Sequence, residues 1–404
     1  MKRARTTQSP CDRWPQDIHL HCLSFLSVLD LAQSAARVSK GWDTAVCLQY
    51  SRVRVLHVEH VDPPAALIER MLPKLEDVTV LETSPVLERL MQAPNLLRLY
   101  ITQEALKCKI VSTRLRHLRV DDATFSTHDI HESWRPRIQQ LESLDVTSYL
   151  TRRCTKFHAV VPLVTTLVLR ISSTYDDDSW RIAHSALALQ SLTIYAEMTR
   201  ETLDTVTKHL RVQLASLLGK KSATLRNFRL VLPDIAELTL DGDSVRMETQ
   251  DVPGSRFPFS TSLGFVSELL EHLAPMFRRC VFSRWHVNAN TTMGETDGRD
   301  LVDRYFWQPI QALCATGPSR LVHLATTHMP LQLPTDVAAQ VETVTLQRTA
   351  RFAGHYPNMK QLRLEHASID ASLLATLPCS RVRMNDLWLV RVDNVWQIES
   401  PCSV

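Results

Sequence analysis

The residue types that most often carry chemistry occur in this chain, but they are not grouped as a catalytic or metal site requires. Three consecutive aspartates, 176–178, could bind a metal ion, but they precede the helix-like segment SWRIAHSALAL, where acidic side chains favour the positive N-terminal end. His128 and His131 lie three apart in THDIHE without a cysteine or further histidine to complete a zinc ligand set. We interpret the aspartates as helix-capping residues and the histidines as part of a solvated loop.

Covalent, phosphate and cofactor chemistry have equally little support. The chain contains nine glycines in 404 residues, and no nucleophile elbow, phosphate loop or dinucleotide fingerprint occurs. Its nine cysteines are scattered without a C-x-x-C pair, which argues against zinc and is typical of reduced thiols in a cytoplasmic or nuclear protein. We therefore expect a protein that is not an enzyme and that requires no metal or other cofactor.

The composition is that of an ordinary globular chain, with 44% apolar and 22% charged residues. A net charge of +3 is too small to predict binding to nucleic acid or to a membrane surface. No secretory signal and no apolar run of membrane-spanning length, about 18 residues, is present. We expect no nucleic-acid or membrane partner, and a location in the cytoplasm, the nucleus or both.

Beyond Tyr50 the chain repeats a strand-like pattern, aliphatic-x-x-aliphatic-x-aliphatic. The segments are Leu75-Val78-Val80, Leu96-Leu99-Ile101, Leu115-Leu118-Val120, Leu141-Leu144-Val146, Val164-Leu167-Leu169, Leu189-Leu192-Ile194, Val341-Val344-Leu346, Met359-Leu362-Leu364 and Met384-Leu387-Leu389. In the first six, the second aliphatic residue recurs at intervals of 21, 19, 26, 23 and 25 residues, within the repeat length of a leucine-rich solenoid. Helix-like stretches such as SPVLERLMQAPNL lie between them, and the Pro-Asn of APNL and YPNM stops a helix before the next strand.

A unit of one strand and one helix is too small to close its own core and must stack on its neighbours. We therefore predict an α/β fold over residues 51–398, an irregular leucine-rich-repeat solenoid with a parallel sheet on its concave side. From Leu225, LRNFRLVLPDIAELTLDGDSVRME contains three strand-like runs joined by turn residues, which predicts a hairpin meander. With the loops that we predict at 250–262 and 288–300, this meander forms an irregular insertion at about 225–300.

Side chains alternate along a strand, so the residues between the buried positions must point to the concave face. Arginine and aromatic side chains are the usual anchors of protein interfaces. The positions that we assign to substrate binding are Arg98, Tyr100, Arg119, Asp145, Arg170, Tyr195, Arg363 and Trp388, with His117, Asp121 and Glu365 on the same face. This set predicts a surface for a target protein that the sequence does not name.

The densest helical pattern lies at residues 14–42, WPQDIHLHCLSFLSVLDLAQSAARVSKGW. Apolar residues recur there at close to 3.6 residues, Pro15 suits a first helical turn, and Asp30 can cap a second helix. Five short motifs follow one another in this segment: Trp14-Pro15, Asp17-Ile18, Phe25-Leu26, Leu29-Asp30-Leu31 and Val38-Ser39-Lys40-Gly41-Trp42. In this order they resemble the F-box, a three-helix module, over residues 11–50.

The resemblance implies docking on the Skp adaptor of a cullin-RING ubiquitin ligase. It implies adaptor-facing or supporting roles for Trp14, Pro15, Ile18, Leu26, Leu31, Val38 and Trp42. With the repeats behind it, the chain is similar to F-box proteins with C-terminal leucine-rich repeats, which hold a target protein while a ligase on the cullin transfers ubiquitin. The alternative is a non-enzymatic interaction scaffold whose F-box-like segment only caps the solenoid.

Overall fold

The structure is a computed structural model of the chain. The described residues are 18, 46, 53–58, 65–80, 85–121, 130–146, 161–171, 177–196, 203–221, 224–232, 236–250, 283–290, 308, 320–326, 333, 335–347, 355–367, 369, 371–385, 387–393 and 395–399. Two compact units make up the chain: Met1–Arg170 with Asp176–Ala188, and Ile171–Tyr175 with Leu189–Val404.

Strands and short helices alternate through the described residues. The strands are β1 (Val55–Val58), β2 (Asp77–Val80), β3 (Arg98–Thr102), β4 (His117–Asp121), β5 (Ser143–Val146), β6 (Thr166–Ile171), β7 (Ser191–Ala196), β8 (Asn227–Leu232), β9 (Ala236–Asp241), β10 (Ser244–Gln250), β11 (Arg284–Asn290), β12 (His323–Thr326), β13 (Thr343–Gln347), β14 (Gln361–Glu365), β15 (Arg381–Met384), β16 (Leu387–Val392) and β17 (Val395–Ile398). The helices are α1 (Ala65–Met71), α2 (Leu87–Leu90), a 3-10 helix (Gln103–Lys107), α3 (Trp134–Ile138), α4 (Asp177–Ser185), α5 (Leu203–Lys221), α6 (Thr335–Ala338) and α7 (Ala371–Thr376).

In the first unit, β1 to β6 pair in chain order, and every pairing is parallel. The register places buried residues side by side across the sheet. One such row is Leu56, Val78, Leu99, Leu118, Leu144 and Leu167, all at most 4% exposed. A parallel strand needs a crossover back to the same end of the sheet, and helices α1 to α3 lie in these crossovers. The fold is therefore α/β, with a core that stacks from strand to strand.

In the second unit, β7 to β17 also pair in chain order, but hairpins interrupt the parallel pairing. The pairs β8–β9, β9–β10, β15–β16 and β16–β17 are antiparallel, and the other pairs from β7 to β15 are parallel. Three of the hairpins carry a residue at positive φ between their strands: Gly242 (56°), Asn385 (52°) and Asp393 (49°). Positive φ suits the tight turns that match the twist of paired strands.

A backbone pattern recurs where most parallel strands begin. Two successive N–H groups donate to the carbonyl of the residue just before the preceding strand, as Glu76 N and Asp77 N do to Arg54 O at 2.9 and 3.0 Å. Lys360 N and Gln361 N repeat it on Glu342 O at 2.8 and 3.1 Å. The shared carbonyl helps to hold each strand in register with the one before it.

Eight of the nine strand-like segments predicted from the sequence are confirmed, because all three aliphatic positions in each are at most 4% exposed. The ninth, Met384-Leu387-Leu389, is wrong, since Leu387 is 56% exposed. The residues that take these three positions in the sheet are Cys379, Val382 and Met384. The first two are buried, and Met384 is half-buried. The physical reason is that the chain reverses at Asn385, so β16 runs antiparallel and cannot repeat the pattern.

The predicted meander is confirmed, because β8, β9 and β10 form consecutive antiparallel pairs that turn at Gly242. The loop predicted at 288–300 is wrong for its first residues, since Asn288–Asn290 continue β11 beside β10. Helix α4 begins at Asp177, two residues before the predicted segment SWRIAHSALAL, so Asp177 and Asp178 lie in its first turn, where acidic side chains favour the positive N-terminal end, and Asp176 lies outside the described residues. Among the described helices, none combines the length and apolar character needed to cross a membrane.

Candidate protein-binding face

The side chains that alternate with the buried positions form what we call the open face of each sheet. Seven of the eight residues predicted to bind a substrate lie at such positions, and the eighth, Trp388, lies in β16, where every described side chain is exposed or half-buried. In β6, for example, Leu167 and Leu169 are buried while Val168 and Arg170 are half-buried. The predicted register is therefore observed for the seven residues outside β16, and the register pairs show which of these residues meet.

In the first unit, three predicted residues lie on adjacent strands and contact each other. Tyr100 of β3 pairs with Arg119 of β4, which pairs with Asp145 of β5. The Arg119 guanidinium carbon lies 4.2 Å from the Tyr100 ring centroid, and its Nε lies 3.5 Å from Asp145 Oδ2. The aromatic ring and the carboxylate together hold the guanidinium in place. We name these residues the Tyr100 cluster.

Three other residues predicted to bind a substrate do not belong to the Tyr100 cluster: Arg98, Arg170 and Tyr195. Arg98 pairs with Asp77 of β2, and its exposed Nη1 lies 3.8 Å from Asp77 Oδ2. Arg170 follows Leu169, which is the last residue of β6 in register with β5. Tyr195 belongs to the second unit, where it pairs with Val231 of β8. The predicted stacking of successive repeats implied that the strands of Tyr100, Arg119 and Asp145 are neighbours, but not the contacts between these side chains.

The open face of the second unit carries four arginines that are each paired with a carboxylate. Arg229 binds Glu237 through two hydrogen bonds of 2.9 and 3.0 Å. Burial alone would raise the pKa of Glu237, but hydrogen bonds from Arg229 and Thr239 hold it below its usual value. The other three pairs are Arg246–Glu248 at 2.6 Å, Arg284–Asp243 at 3.5 Å and Arg381–Glu399 at 2.9 Å.

Two half-buried histidines lie on the same face, on neighbouring strands. The rings of His286 in β11 and His323 in β12 have centroids 6.0 Å apart, and His323 Nε2 lies 3.1 Å from Thr345 Oγ1. Burial, followed by the nearby His286, Arg363 and Arg284, lowers the pKa of His323 to about 4. Burial and then Arg246 lower the pKa of His286 as well. Both rings are therefore neutral at physiological pH.

The predicted residues Arg363 and Trp388 lie two strands apart, with Arg383 of β15 between them. Arg383 pairs with Arg363 on one side and with Trp388 on the other. The Arg383 guanidinium carbon lies 5.7 Å from the Trp388 ring centroid, and that of Arg381 lies 5.3 Å from it. Sequence reasoning missed both arginines. The alternation in SRVRM around buried Val382 was the signal that could have identified them.

The arginine and aromatic side chains of these groups are suited to protein binding. Within the described residues, no three histidine, cysteine or carboxylate side chains are grouped to hold a metal ion. Cys379 is buried, and burial raises the pKa of its thiol, which disfavours the nucleophilic thiolate. His131 Nδ1 lies 2.9 Å from Ser133 Oγ and accepts a hydrogen bond from Ser133 N at 3.1 Å, as part of a local turn.

Of the seven residues predicted to face an adaptor, the structure describes one. Ile18 has helical backbone conformation, and its side chain is 47% exposed. Trp14, Pro15, Leu26, Leu31, Val38 and Trp42 lie outside the described residues. Val46, close after this set in the sequence, is also helical and is 1% exposed.

The fold and the face together define an α/β chain of stacked strands whose open surface is rich in arginine, with tyrosine, histidine and tryptophan beside it. No protein-family model matches the chain, and no curated protein matches it significantly.

Proposed function

We propose that this chain is the substrate-recognition subunit of an SCF-type, cullin-RING ubiquitin ligase. The N-terminal segment, residues 11–50, is an F-box that binds the Skp adaptor and through it a cullin. The strands behind it are leucine-rich repeats whose open face binds a target protein. The chain then contributes position and not catalysis, because it holds the target near a ligase carried by the cullin.

The observation that carries the target-binding half is the open face itself. It presents arginine and tyrosine side chains in the first unit, and arginine and tryptophan side chains in the second, each on a support of buried aliphatic rows. Such side chains dominate the energy of protein interfaces, and a pre-ordered support lowers the entropy lost on binding.

The adaptor-binding half is supported by the ordered motif in residues 14–42 and by Ile18. An isoleucine that is 47% exposed on a helix is a suitable contact for a partner, because its burial there would add apolar area to the interface. Its exposure also makes it a better position for mutation than a fully buried residue, because a change there removes less packing.

The test is co-precipitation of the full chain with purified Skp adaptor. We expect the intact chain to bind, and Ile18→Asp to bind at least about tenfold more weakly, because a buried carboxylate without a partner is costly at an apolar interface. The matched control is Val212→Asp, the same kind of change at an apolar side chain that is 62% exposed on α5. It should bind like the wild type.

Leu26→Asp and Trp42→Ala extend the test to the motif residues outside the described part, and both should also lose binding. If the intact chain does not bind the adaptor, the ligase proposal fails and the interaction scaffold takes its place. If the chain binds but Ile18→Asp binds equally well, the ligase proposal stands and only the assignment of Ile18 is wrong.

A further inference from the structure

The last two described strands, β16 and β17, expose more large apolar side chains than any other part of the described chain. Ten such side chains are exposed among the described residues, and four of them lie here: Leu387, Val392, Val395 and Ile398. Val392 and Val395 are also register partners and lie side by side. Single exposed apolar residues need no explanation, but a group of them marks a surface that another molecule covers.

One buried row of the second unit runs into solvent at β17. Val344, Leu362 and Val382 are register partners across β13, β14 and β15, and each is fully buried. The row continues through Leu389 of β16, which is half-buried, and ends at Ile398 of β17, which is 63% exposed. A stacked core needs either a polar cap or a further neighbour at its end. Because Ile398 is apolar, this row lacks a neighbour on its outer side.

The outer edge of β17 also has backbone groups that can pair with a further strand. Among the described strands, β17 pairs only with β16. Glu399 N donates to Trp388 O at 2.9 Å, and backbone groups alternate in direction along an antiparallel strand. The N–H and C=O groups of Trp396 and Ile398 therefore point away from β16. Natural sheets block such an edge with lysine, proline or a bulge, but Val395–Ile398 contains no proline and no charged residue.

Trp396, on the same side of β17 as Ile398, is held in place by the chain itself. Its Nε1 donates to Leu374 O in α7 at 3.0 Å, and the residue is half-buried. The only polar atom of the indole is thus satisfied, so the ring can present apolar area to a partner without an unpaired donor. A side chain that is already fixed loses little entropy when a partner packs against it.

We propose that β17 pairs with β17 of a second copy of this chain, antiparallel to it, about a twofold axis that passes between the two Gln397 residues. In this register the outward-pointing groups of Trp396 and Ile398 in one copy bond to those of Ile398 and Trp396 in the other, which gives four backbone hydrogen bonds. Each Ile398 side chain then lies opposite a Trp396 ring of the other copy. Aromatic and β-branched side chains form favourable cross-strand pairs.

A second copy fits this edge because the edge is complementary to itself. One twofold axis brings an apolar ring beside each exposed Ile398, so both open rows gain their missing neighbour at once. The other symmetric register, centred on Trp396, would place each Ile398 beyond the end of β17 in the other copy and leave both rows open. Glu399, the acidic residue that follows the strand, is already paired with Arg381 at 2.9 Å, so the two copies approach without unpaired like charges.

The length of β17 limits how tightly the two copies bind. The strand has four residues, so the contact is smaller than the roughly 800 Å² per partner of a standard stable complex. We therefore expect a reversible dimer that dissociates in the micromolar range. This inference rests on the geometry of β16 and β17 and does not depend on the proposed function.

Sedimentation velocity of the full chain, over about 1–200 µM, measures the association. Ile398→Lys is the test variant, because a charge at this position must be buried against the Trp396 ring of the other copy. Val212→Lys is the matched control, the same change at a side chain that is 62% exposed on α5. We expect the wild type and Val212→Lys to dimerise alike, and Ile398→Lys at least about tenfold more weakly. The thermal midpoint of each variant confirms that it is folded.

Cysteine cross-linking tests the register in a chain that is otherwise wild type. Directly opposite residues of an antiparallel pair have Cβ atoms about 4.5–5.5 Å apart, so two Gln397→Cys side chains can form a disulfide across the twofold axis. Val395→Cys is the matched control on the same face, because this register separates its two copies by four residues, about 14 Å. Under mild oxidation, Gln397→Cys should form a covalent dimer at least about tenfold faster than Val395→Cys or the wild type, whose own cysteines set the background.

Four results would overturn the proposal. A wild type that stays monomeric over the whole range would leave the edge to a strand of another protein. Assemblies that grow beyond a dimer would indicate head-to-tail contacts in place of a twofold one. A dimer that Ile398→Lys leaves unchanged lies elsewhere on the chain, and equal cross-linking of the two cysteine variants contradicts the register. If Ile398→Lys lowers the thermal midpoint, the cross-linking comparison decides the outcome.

Discussion

Replacing Asn358 tests how one repeat is tied to the preceding one. Asn358 belongs to the Pro-Asn pair of YPNM, and its Nδ2 donates a hydrogen bond to Ala339 O, 19 residues earlier, at 2.8 Å. Asn95 in APNL does the same to Pro73 O, 22 residues earlier, also at 2.8 Å. In both units the asparagine amide therefore joins the start of one repeat to the end of the helix in the repeat before it.

The size of the effect follows from the partners. Asn358→Ala removes one hydrogen bond between neutral groups at the surface and should lower the free energy of unfolding by about 1 kcal/mol. Asn358→Asp removes the same donor and also places a carboxylate against a carbonyl oxygen, so we expect a loss of about 1.5–2 kcal/mol. A loss of 1 kcal/mol corresponds to about 2–4 °C in Tm for a unit of this size.

Asn95 provides an informative contrast because its other amide atom has a charged partner. Arg114 Nη1 donates to Asn95 Oδ1 at 3.1 Å. Asn95→Asp therefore loses the donor to Pro73 O but gains an exposed ion pair with Arg114, which returns about 0.2–1 kcal/mol. We expect Asp and Ala to be similarly destabilising at 95, whereas Asp should be clearly worse than Ala at 358.

Urea unfolding followed by tryptophan fluorescence measures these differences. Asn385→Asp is the control, because Asn385 Oδ1 accepts a hydrogen bond from His366 N at 3.1 Å and an aspartate keeps that acceptor. It should therefore unfold like the wild type. If Asn358→Asp is as stable as the wild type, or more stable than Asn358→Ala, the amide nitrogen does not face the Ala339 carbonyl and the reasoning is refuted.

Two further predictions concern the pH dependence of stability and the buried tryptophans. The folded-state pKa of His323 is about 4 against an ordinary value of 6.5, so the unfolded chain binds a proton that the folded chain does not between these values. Stability should fall as the pH drops from 6.5 to about 4. The full difference corresponds to about 3.4 kcal/mol, and solvent screening of this partly exposed ring reduces it to about 1–2 kcal/mol. Parallel pH profiles of urea midpoints for the wild type and His323→Gln would contradict this. Trp134→Phe should cost about 2–3 kcal/mol, because Trp134 is fully buried and its Nε1 donates to Cys108 O at 2.9 Å. Trp285→Phe should cost at least about 1 kcal/mol less, because the equally buried Trp285 Nε1 has no acceptor among the described residues. Equal losses in thermal unfolding would show that the hydrogen bond of Trp134 contributes nothing.

Much of the strand pattern could be predicted because burial along a strand is local information. Leu99 and Ile101, for instance, occupy alternate positions two residues apart, and any strand with one buried face must bury both together. The prediction failed at Leu387 because nothing in an aliphatic triplet says whether its strand runs parallel or antiparallel to the previous one. Asn385 carried the missing signal, since asparagine at positive φ favours a hairpin.

The sequence by itself determined the α/β class, the spacing of the buried rows and the set of side chains available on the open face. Only the tertiary structure decided which of those side chains meet. Tyr100, Arg119 and Asp145 form one cluster although helices and loops of different lengths separate them in the chain. Arg363 and Arg383 oppose each other for the same reason. Strand register brings distant residues together through backbone hydrogen bonds, and that pairing is a property of the whole sheet and not of any one segment.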